Sequence, residues 1–203
     1  MNKTMAPTKG NLMTAKNTLR LSKQGYEMLD KKRNILVREM MLLIEEAKDV
    51  QSGIENTFAE AYHALERANI MMGTAMVQDI MHSIQIENSV NIYNRGVMGV
   101  EIPVVQVNDG GVKPRYSFYS TSSALDEACV KFNRVKEFAA RLAEIENAVY
   151  RLAMNIKKTQ KRANALKNIT IPLYEKLTKD IQNALEEKER EEHTRLKIIK
   201  KTK

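Results

Sequence analysis

Tryptophan is absent from this sequence, cysteine occurs once, proline four times and glycine eight times in 203 residues. Phenylalanine and tyrosine bring the aromatic share to only 5%. So few breakers and aromatics fit long, solvent-flanked helices and are a poor match for a compact α/β enzyme core. With Cys129 alone, an intrachain disulfide and a cysteine-cluster zinc site are both excluded, which suits a reducing, cytoplasmic setting. No uncharged apolar run approaches the ~18 residues of a membrane-spanning helix. The stretch Met1-Asn-Lys-Thr-Met-Ala-Pro7 lacks the apolar segment of a signal peptide. His63, His82 and His193 stand apart from one another and from any partner at catalytic or metal-binding spacing. Gly96-Val-Met-Gly99 lacks the Lys-Ser/Thr ending of a phosphate-binding loop and reads as a turn. A rod has few pockets and enzymes need them, so no catalytic site, metal or cofactor is expected.

What the chain has in quantity is charge (29%), methionine (12 residues) and an apolar fraction of 43%, too high for a disordered chain. The net charge of +8 is uneven. Residues 1–65 hold 10 basic and 8 acidic groups, residues 66–123 hold 4 and 5, and residues 124–203 hold 19 and 12. The basic excess lies in the last third. Charge of that kind favours nucleic acid, an anionic membrane surface or an acidic protein partner without choosing among them.

Residues 1–65 read as one coiled-coil arm. Leu12, Ala15, Leu19, Ser22, Tyr26, Leu29, Arg33, Leu36, Met40, Leu43, Ala47, Val50, Ile54, Thr57, Ala61 and Ala64 follow alternate steps of three and four. That 3.5-residue period is the mark of a left-handed supercoil. Residues 8–65 would make a helix of roughly 85 Å. Small residues at 47, 61 and 64 predict close approach of a neighbouring helix, and Gly25 and Gly53 are the expected bending points. Residues 124–203 form the second arm. Ala128, Val135, Phe138, Leu142, Ile145, Val149, Leu152, Ile156, Thr159, Ala163, Leu166, Thr170, Leu173 and Leu177 keep the same rhythm. Ser123 is the expected N-cap, with Asp126 three residues on, and Pro172 predicts a kink near Asn168–Pro172. Beyond Ala184 the seam gives way to a charged, solvated helix face.

Between the arms, residues 66–123 change period. Residues 66–84 read as a helix that continues or breaks at Gly73. Ser89–Arg95 and Val100–Val107 read as strands, and Pro103 confines its strand to an edge. Asn108-Asp-Gly-Gly111 is a turn signal, and Arg115–Tyr119 a further short strand. The fold class is therefore mainly α: a long antiparallel two-helix coiled coil with a small β-hairpin element from the middle segment at one end. Both termini would lie at the other end.

The basic run Lys157, Lys158, Lys161, Arg162 and Lys167 is ordinarily a solvated face; its functional version meets carbonyl or carboxylate oxygens of a surrounding partner. The methionines are ordinarily core filler, though Met-rich patches adapt to several partners. The tail Arg195–Lys203 is too short and weakly amphipathic to argue for anionic lipid. From these residues alone the chain is an elongated helical scaffold. A basic coiled-coil binder of nucleic acid is the alternative, although acids interrupt its charges and no groove-reading motif is present.

The N-terminal stretch Pro7-Thr8 … Leu12 … Leu19 … Gly25-Tyr-Glu-Met-Leu29-Asp-Lys-Lys32-Arg33-Asn-Ile-Leu36 resembles the opening of the D subunit of the V-type (archaeal and bacterial A/V-type) rotary ATPases. Val97-Met98-Gly99-Val100 … Pro103 is similar to that family's hairpin region. Lys161-Arg162-Ala-Asn164-Ala-Leu166 … Ile171-Pro172 … Ile181 … Leu185–Arg190-Glu191 … Arg195-Leu196-Lys197 resembles its closing helix, so the likeness covers nearly the whole chain. The resemblance implies a central-stalk rotor axle, without catalytic residues or cofactor, peripheral on the cytoplasmic side of a membrane-bound complex. Its implied partners are the hexamer of catalytic A and B subunits, the F subunit, and the adaptor (C/d type) on the membrane ring, with no nucleic acid and no direct insertion into the membrane. By matched position, Lys32, Arg33, Lys161, Arg162, Asn164, Arg190, Arg195 and Lys197 would lie nearest the head. Tyr93, Met98, Val100, Pro103 and Tyr116 would belong to the lower, partner-binding part.

Overall fold

The computed structural model describes residues 6–83, 90–107, 116–119 and 121–201. Helix α1 spans Lys9–Met72 and α2 Thr74–Ser83; strands β1 (Val90–Val97) and β2 (Val100–Val107) follow; α3 spans Ser123–Ala165 and α4 Ile171–Lys201, with a π-helical segment at Leu166–Thr170 between them. The chain forms two compact units, Met1–Ile35 with Ile156–Lys203, and Leu36–Asn155.

In the first unit, Thr8 caps α1 by accepting the Asn11 amide at 3.2 Å, satisfying one of the unpaired donors of the first turn. Opposite it runs the C-terminal part of the chain, and the partners fall in number as those of α1 rise. Lys9 pairs with Glu189 at 3.3 Å, Lys23 with Glu175 at 2.7 Å, and Arg33 donates to Gln160 at 2.9 Å. The pairing is antiparallel. Ala15, Ala163 and Ile181 are buried along its seam, together with Ser22, whose hydroxyl is satisfied by the Thr18 carbonyl at 2.8 Å. A small polar residue can occupy the seam because its own helix supplies the acceptor.

Near Asn168–Pro172, where the sequence predicts a kink, the structure has a π-helical segment at Leu166–Thr170. Pro172 has no N–H and cannot continue the α-helical ladder. The turn before it widens, and the Ile171 amide reaches back five residues to the Leu166 carbonyl. The extra residue advances the seam by one position. Leu173, expected inside, is half exposed, and Tyr174, Thr178 and Ile181 turn inward instead. On the other arm Gly25 lies at the same level, with Leu166 Cδ1 3.7 Å from where its Cβ would be. Neither Gly25 nor Gly53 interrupts α1, which is α-helical throughout. Residues 186–201 of α4 are all exposed, as their charge pattern predicts.

In the second unit the antiparallel pairing runs between α1 and α3. Arg141 of α3 bonds Glu46 of α1, Phe138 packs 3.6 Å from the Cβ position of Gly53, Lys131 pairs with Glu60 at 3.8 Å, and Arg67 pairs with Glu127 at 3.0 Å. Ala61, Ala64 and Ala68 are fully buried, the close approach that their size allows. Leu36, Ile145 and Leu152 are the largest fully buried side chains, each in its expected seam position. Phe58, Tyr62 and Phe132 form an aromatic series, Tyr62 stacking on one ring and meeting the other edge-on. Of the two alternatives for residues 66–84, the break at Gly73 is the one that forms, at φ +85°, a conformation in which glycine carries no steric penalty. The cap of α3 differs from the reading. The helix begins at Ser123, which puts Ser122 at the cap position with its carbonyl accepting the Leu125 amide at 3.0 Å. Asp126 is engaged elsewhere: Tyr116 donates to it at 2.5 Å, so no capping box forms with Ser123.

The strands pair antiparallel, Val90 opposite Val107 through Val97 opposite Val100, closed by the turn Met98-Gly99. Met98 (φ +49°) and Gly99 (φ +74°) both lie in the left-handed region that a two-residue hairpin turn requires. The seat of the hairpin is finer detail than periodicity offers. Arg95 pairs with Glu39 of α1 at 3.7 Å, and β2 meets Glu144 and Arg151 of α3. Val100, Ile102 and Pro103 are buried, while β1 is exposed along nearly its whole length. The expected strand at Arg115–Tyr119 does not form over residues 116–119, which turn back on themselves, the Thr121 hydroxyl reaching the Ser117 carbonyl at 3.2 Å. The turn signal at 108–111, Ser89 and Arg115 lie outside the described residues.

Gly25→Ala adds a methyl group in ordinary contact with Leu166 and removes the conformational freedom of glycine from the unfolded chain. The variant should be more stable by up to about 1 kcal/mol, read as a higher denaturant midpoint at unchanged slope.

Candidate functional site

The eight residues that the resemblance places toward the head all belong to the first unit. Arg33, half-buried, is an organiser of that level of the helix pair. It pairs with Asp30 at 2.7 Å one turn earlier and donates to Gln160 across the pair, and Gln160 donates in turn to Asn164 at 2.8 Å. This series of bonds joins Arg33 to Asn164 and brings Lys32, Lys161 and Arg162 to the same level. Lys161 and Arg162 are exposed, as are Lys157 and Lys158, so this part of the basic run faces solvent. Lys167 lies over the Tyr26 ring at 5.8 Å, a cation–π contact that ties the π-helical segment to α1. Arg190, Arg195 and Lys197 occupy the exposed end of α4 and are not brought to Arg33.

The five residues of the other set belong to the second unit and divide by exposure. Tyr93 and Met98 are about half exposed. Val100 and Pro103 face inward and seat the hairpin. Tyr116 packs beside Ala68, Ala124 and Leu125 and donates to Asp126. Burial and this bond to a carboxylate push the Tyr116 phenol far above its ordinary range, so it stays a neutral donor.

Ion pairs of the second unit reinforce the helix pairing. The hydrogen bond from Lys131, together with nearby Arg67, holds the Glu127 carboxyl below the usual carboxylate range. The bond to Glu46, with Glu144 close by, holds the Arg141 guanidinium above the usual arginine range. Gln160 and Glu144 are connectors that periodicity does not single out, because each is one polar residue among many on a charged helix. Among the described residues, no three His, Cys, Asp or Glu side chains are placed to hold a metal ion. Among them, too, no helix is long and apolar enough to cross a membrane. The exterior of the first unit is rich in charged side chains, and β1 carries the exposed apolar side chains Val90, Ile92 and Tyr93.

Comparison with known proteins identifies the architecture. The family model for the ATP synthase D subunit matches residues 11–201. The chain is 46% identical over 196 residues to the V-type ATP synthase D subunit of Thermotoga neapolitana, covering 97% of each protein. It is 36% identical over 197 residues to the A-type ATP synthase D subunit of Pyrococcus furiosus, covering 96% of this chain and 92% of that one. The A-type ATP synthase D subunit of Methanobrevibacter smithii is 37% identical over 199 residues, covering 97% of this chain and 86% of its relative. A likeness of this extent, through both helical arms and the hairpin between them, places the chain in the family of ATP synthase D subunits.

Proposed function

We propose that this chain is the central-stalk axle of a rotary ATP synthase or ATPase, a non-catalytic component that transmits torque between the catalytic head and the membrane ring. The observation that carries the reading is the 64-residue α1, whose apolar stripe is covered in each unit by later helices of the same chain. Internal cover leaves the outer face free to turn inside a partner. Torsional stiffness comes from many small packing contacts along the pair. The face that must slip is charged and poor in the Trp and Tyr anchors that would fix an interface.

On this reading the first unit enters the hexamer of A and B subunits. Lys32, Arg33, Lys161, Arg162 and Asn164 form one contact level there, and Arg190, Arg195 and Lys197 another. Tyr93 and Met98 serve the lower stalk, where the F subunit and the ring adaptor bind, and the chain is peripheral, on the cytoplasmic side of the membrane, within a membrane-bound complex. Segments 1–65, 66–123 and 124–203 correspond to outgoing arm, partner-binding middle and returning arm. Catalysis is influenced indirectly, because an asymmetric axle contacts three equivalent sites differently and so favours a different conformation in each. The π-helical turn before Pro172, facing Gly25, is the local asymmetry that serves this purpose.

Two measurements test the proposal. Mixed with a stalk-free head and the F subunit, the chain should co-elute with both; failure to bind either would contradict it, and salt-sensitive binding to duplex DNA would support the nucleic-acid alternative. Pro172→Ala restores the missing amide and should return residues 166–172 to the α-helical period. The variant should fold and assemble with altered coupling between hydrolysis and transport, whereas wild-type coupling would remove Pro172 from the mechanism.

A further inference from the structure

The two-residue turn at Met98-Gly99 sets the phase of the hairpin ladder. Val97 and Val100 flank it as a hydrogen-bonded pair, and such pairs alternate with non-bonded ones from there. Val100, Ile102, Val104 and Gln106 therefore turn their backbone groups toward β1, while Glu101, Pro103 and Val105 turn theirs toward the outer edge. A buried strand edge needs partners for those groups. Here the Glu101 carbonyl accepts from Arg151 Nη1 at 3.1 Å. Pro103 has no N–H to satisfy. The Val105 N–H donates to Glu144 Oε2 at 3.0 Å.

Glu144 does more than accept that one bond. Its Oε1 takes a hydrogen bond from Arg141 Nη1 at 2.7 Å, and Arg141 Nε donates to Glu46 of α1 at 2.9 Å. One carboxylate thus joins β2 to α3 and, through Arg141, to α1. Its side chain is 11% exposed, against 39% for Glu46 and 28% for Glu39, so the charge sits where water competes least.

We propose that Glu144 is the clasp of the β-hairpin: a positioning residue whose carboxylate holds the outer edge of β2 on the helix pair, so that the hairpin opens as a unit while the helices stay paired. The hairpin is seated by few buried side chains and a handful of polar bonds, and the helix seam by many more. A segment held this way opens locally well before global unfolding. The proposal does not depend on the rotor reading, since it concerns the second unit by itself.

Hydrogen exchange on the full chain tests it. In Glu144→Ala the Val105 amide and Arg141 each lose a partner, and residues 100–107 should exchange roughly tenfold faster than in the wild type. Glu144→Gln keeps an acceptor without the charge and should fall between. Exchange in α1 over residues 41–60 should change less than that of residues 100–107, and the thermal midpoint should fall by only a few degrees, a separation that a general loss of stability would not produce. Arg151→Met removes the other edge contact and should accelerate the same residues, which keeps the test available if Glu144→Ala does not fold. Wild-type exchange of residues 100–107 in Glu144→Gln and Arg151→Met would overturn the proposal. So would acceleration spread equally through α1 and α3.

Discussion

The antiparallel contact between the first arm and the returning one is the interaction on which the remaining features depend. An amphipathic helix of this length exposes a continuous apolar stripe unless something covers it, and coverage, more than intrinsic propensity, stabilises long helices in water. Here the cover comes from the same chain within each unit. Full burial of Ala61, Ala64 and Ala68 brings the backbones close in one unit, and Ala15 and Ala163 do the same in the other. Ion pairs such as Lys23–Glu175 and Arg67–Glu127 flank the seam and help fix its register. Their exposure limits each to a modest contribution.

With the seam in place, local departures from regularity acquire meaning. The π-helical turn ahead of Pro172 advances the seam by one residue and turns Leu173 outward, while Gly25 faces it from the other arm. The hairpin leaves the helical pattern altogether and returns to it through Glu144, Arg151 and Glu39. Membership of the ATP synthase D-subunit family and the helical pairing are the two observations on which the proposed mechanical role rests.

Much of the fold is legible in the sequence because a 3.5-residue period repeats long enough to outweigh local noise. Leu36, Ile145 and Leu152 are fully buried where that period puts them, and Ser22 and Thr159 keep their seam positions despite being polar. The miss at Leu173 has a definite cause: proline is visible in the sequence, but whether the chain answers with a bend or with an added residue is decided by packing. Ser122 and Ser123 are adjacent and equally suited to a cap; the helix begins at Ser123, and Asp126 is engaged by Tyr116 from outside the helix. The site is less legible than the fold. Arg33 stands out as a charge within the apolar seam series and Asn164 only through family resemblance, and nothing in the periodicity says that Gln160 connects them. Glu144 looks like any other acid of α3 until the hairpin is seen against it. Contacts that link elements distant in sequence leave no periodic trace.

Rotation is the most direct test of the central claim. A catalytic head reconstituted with this chain and the F subunit, immobilised by the head and carrying a bead on residues of the second unit, should turn in one direction when ATP is supplied and stop when it is removed. Steady ATP hydrolysis by an assembled complex whose bead does not turn would contradict the account.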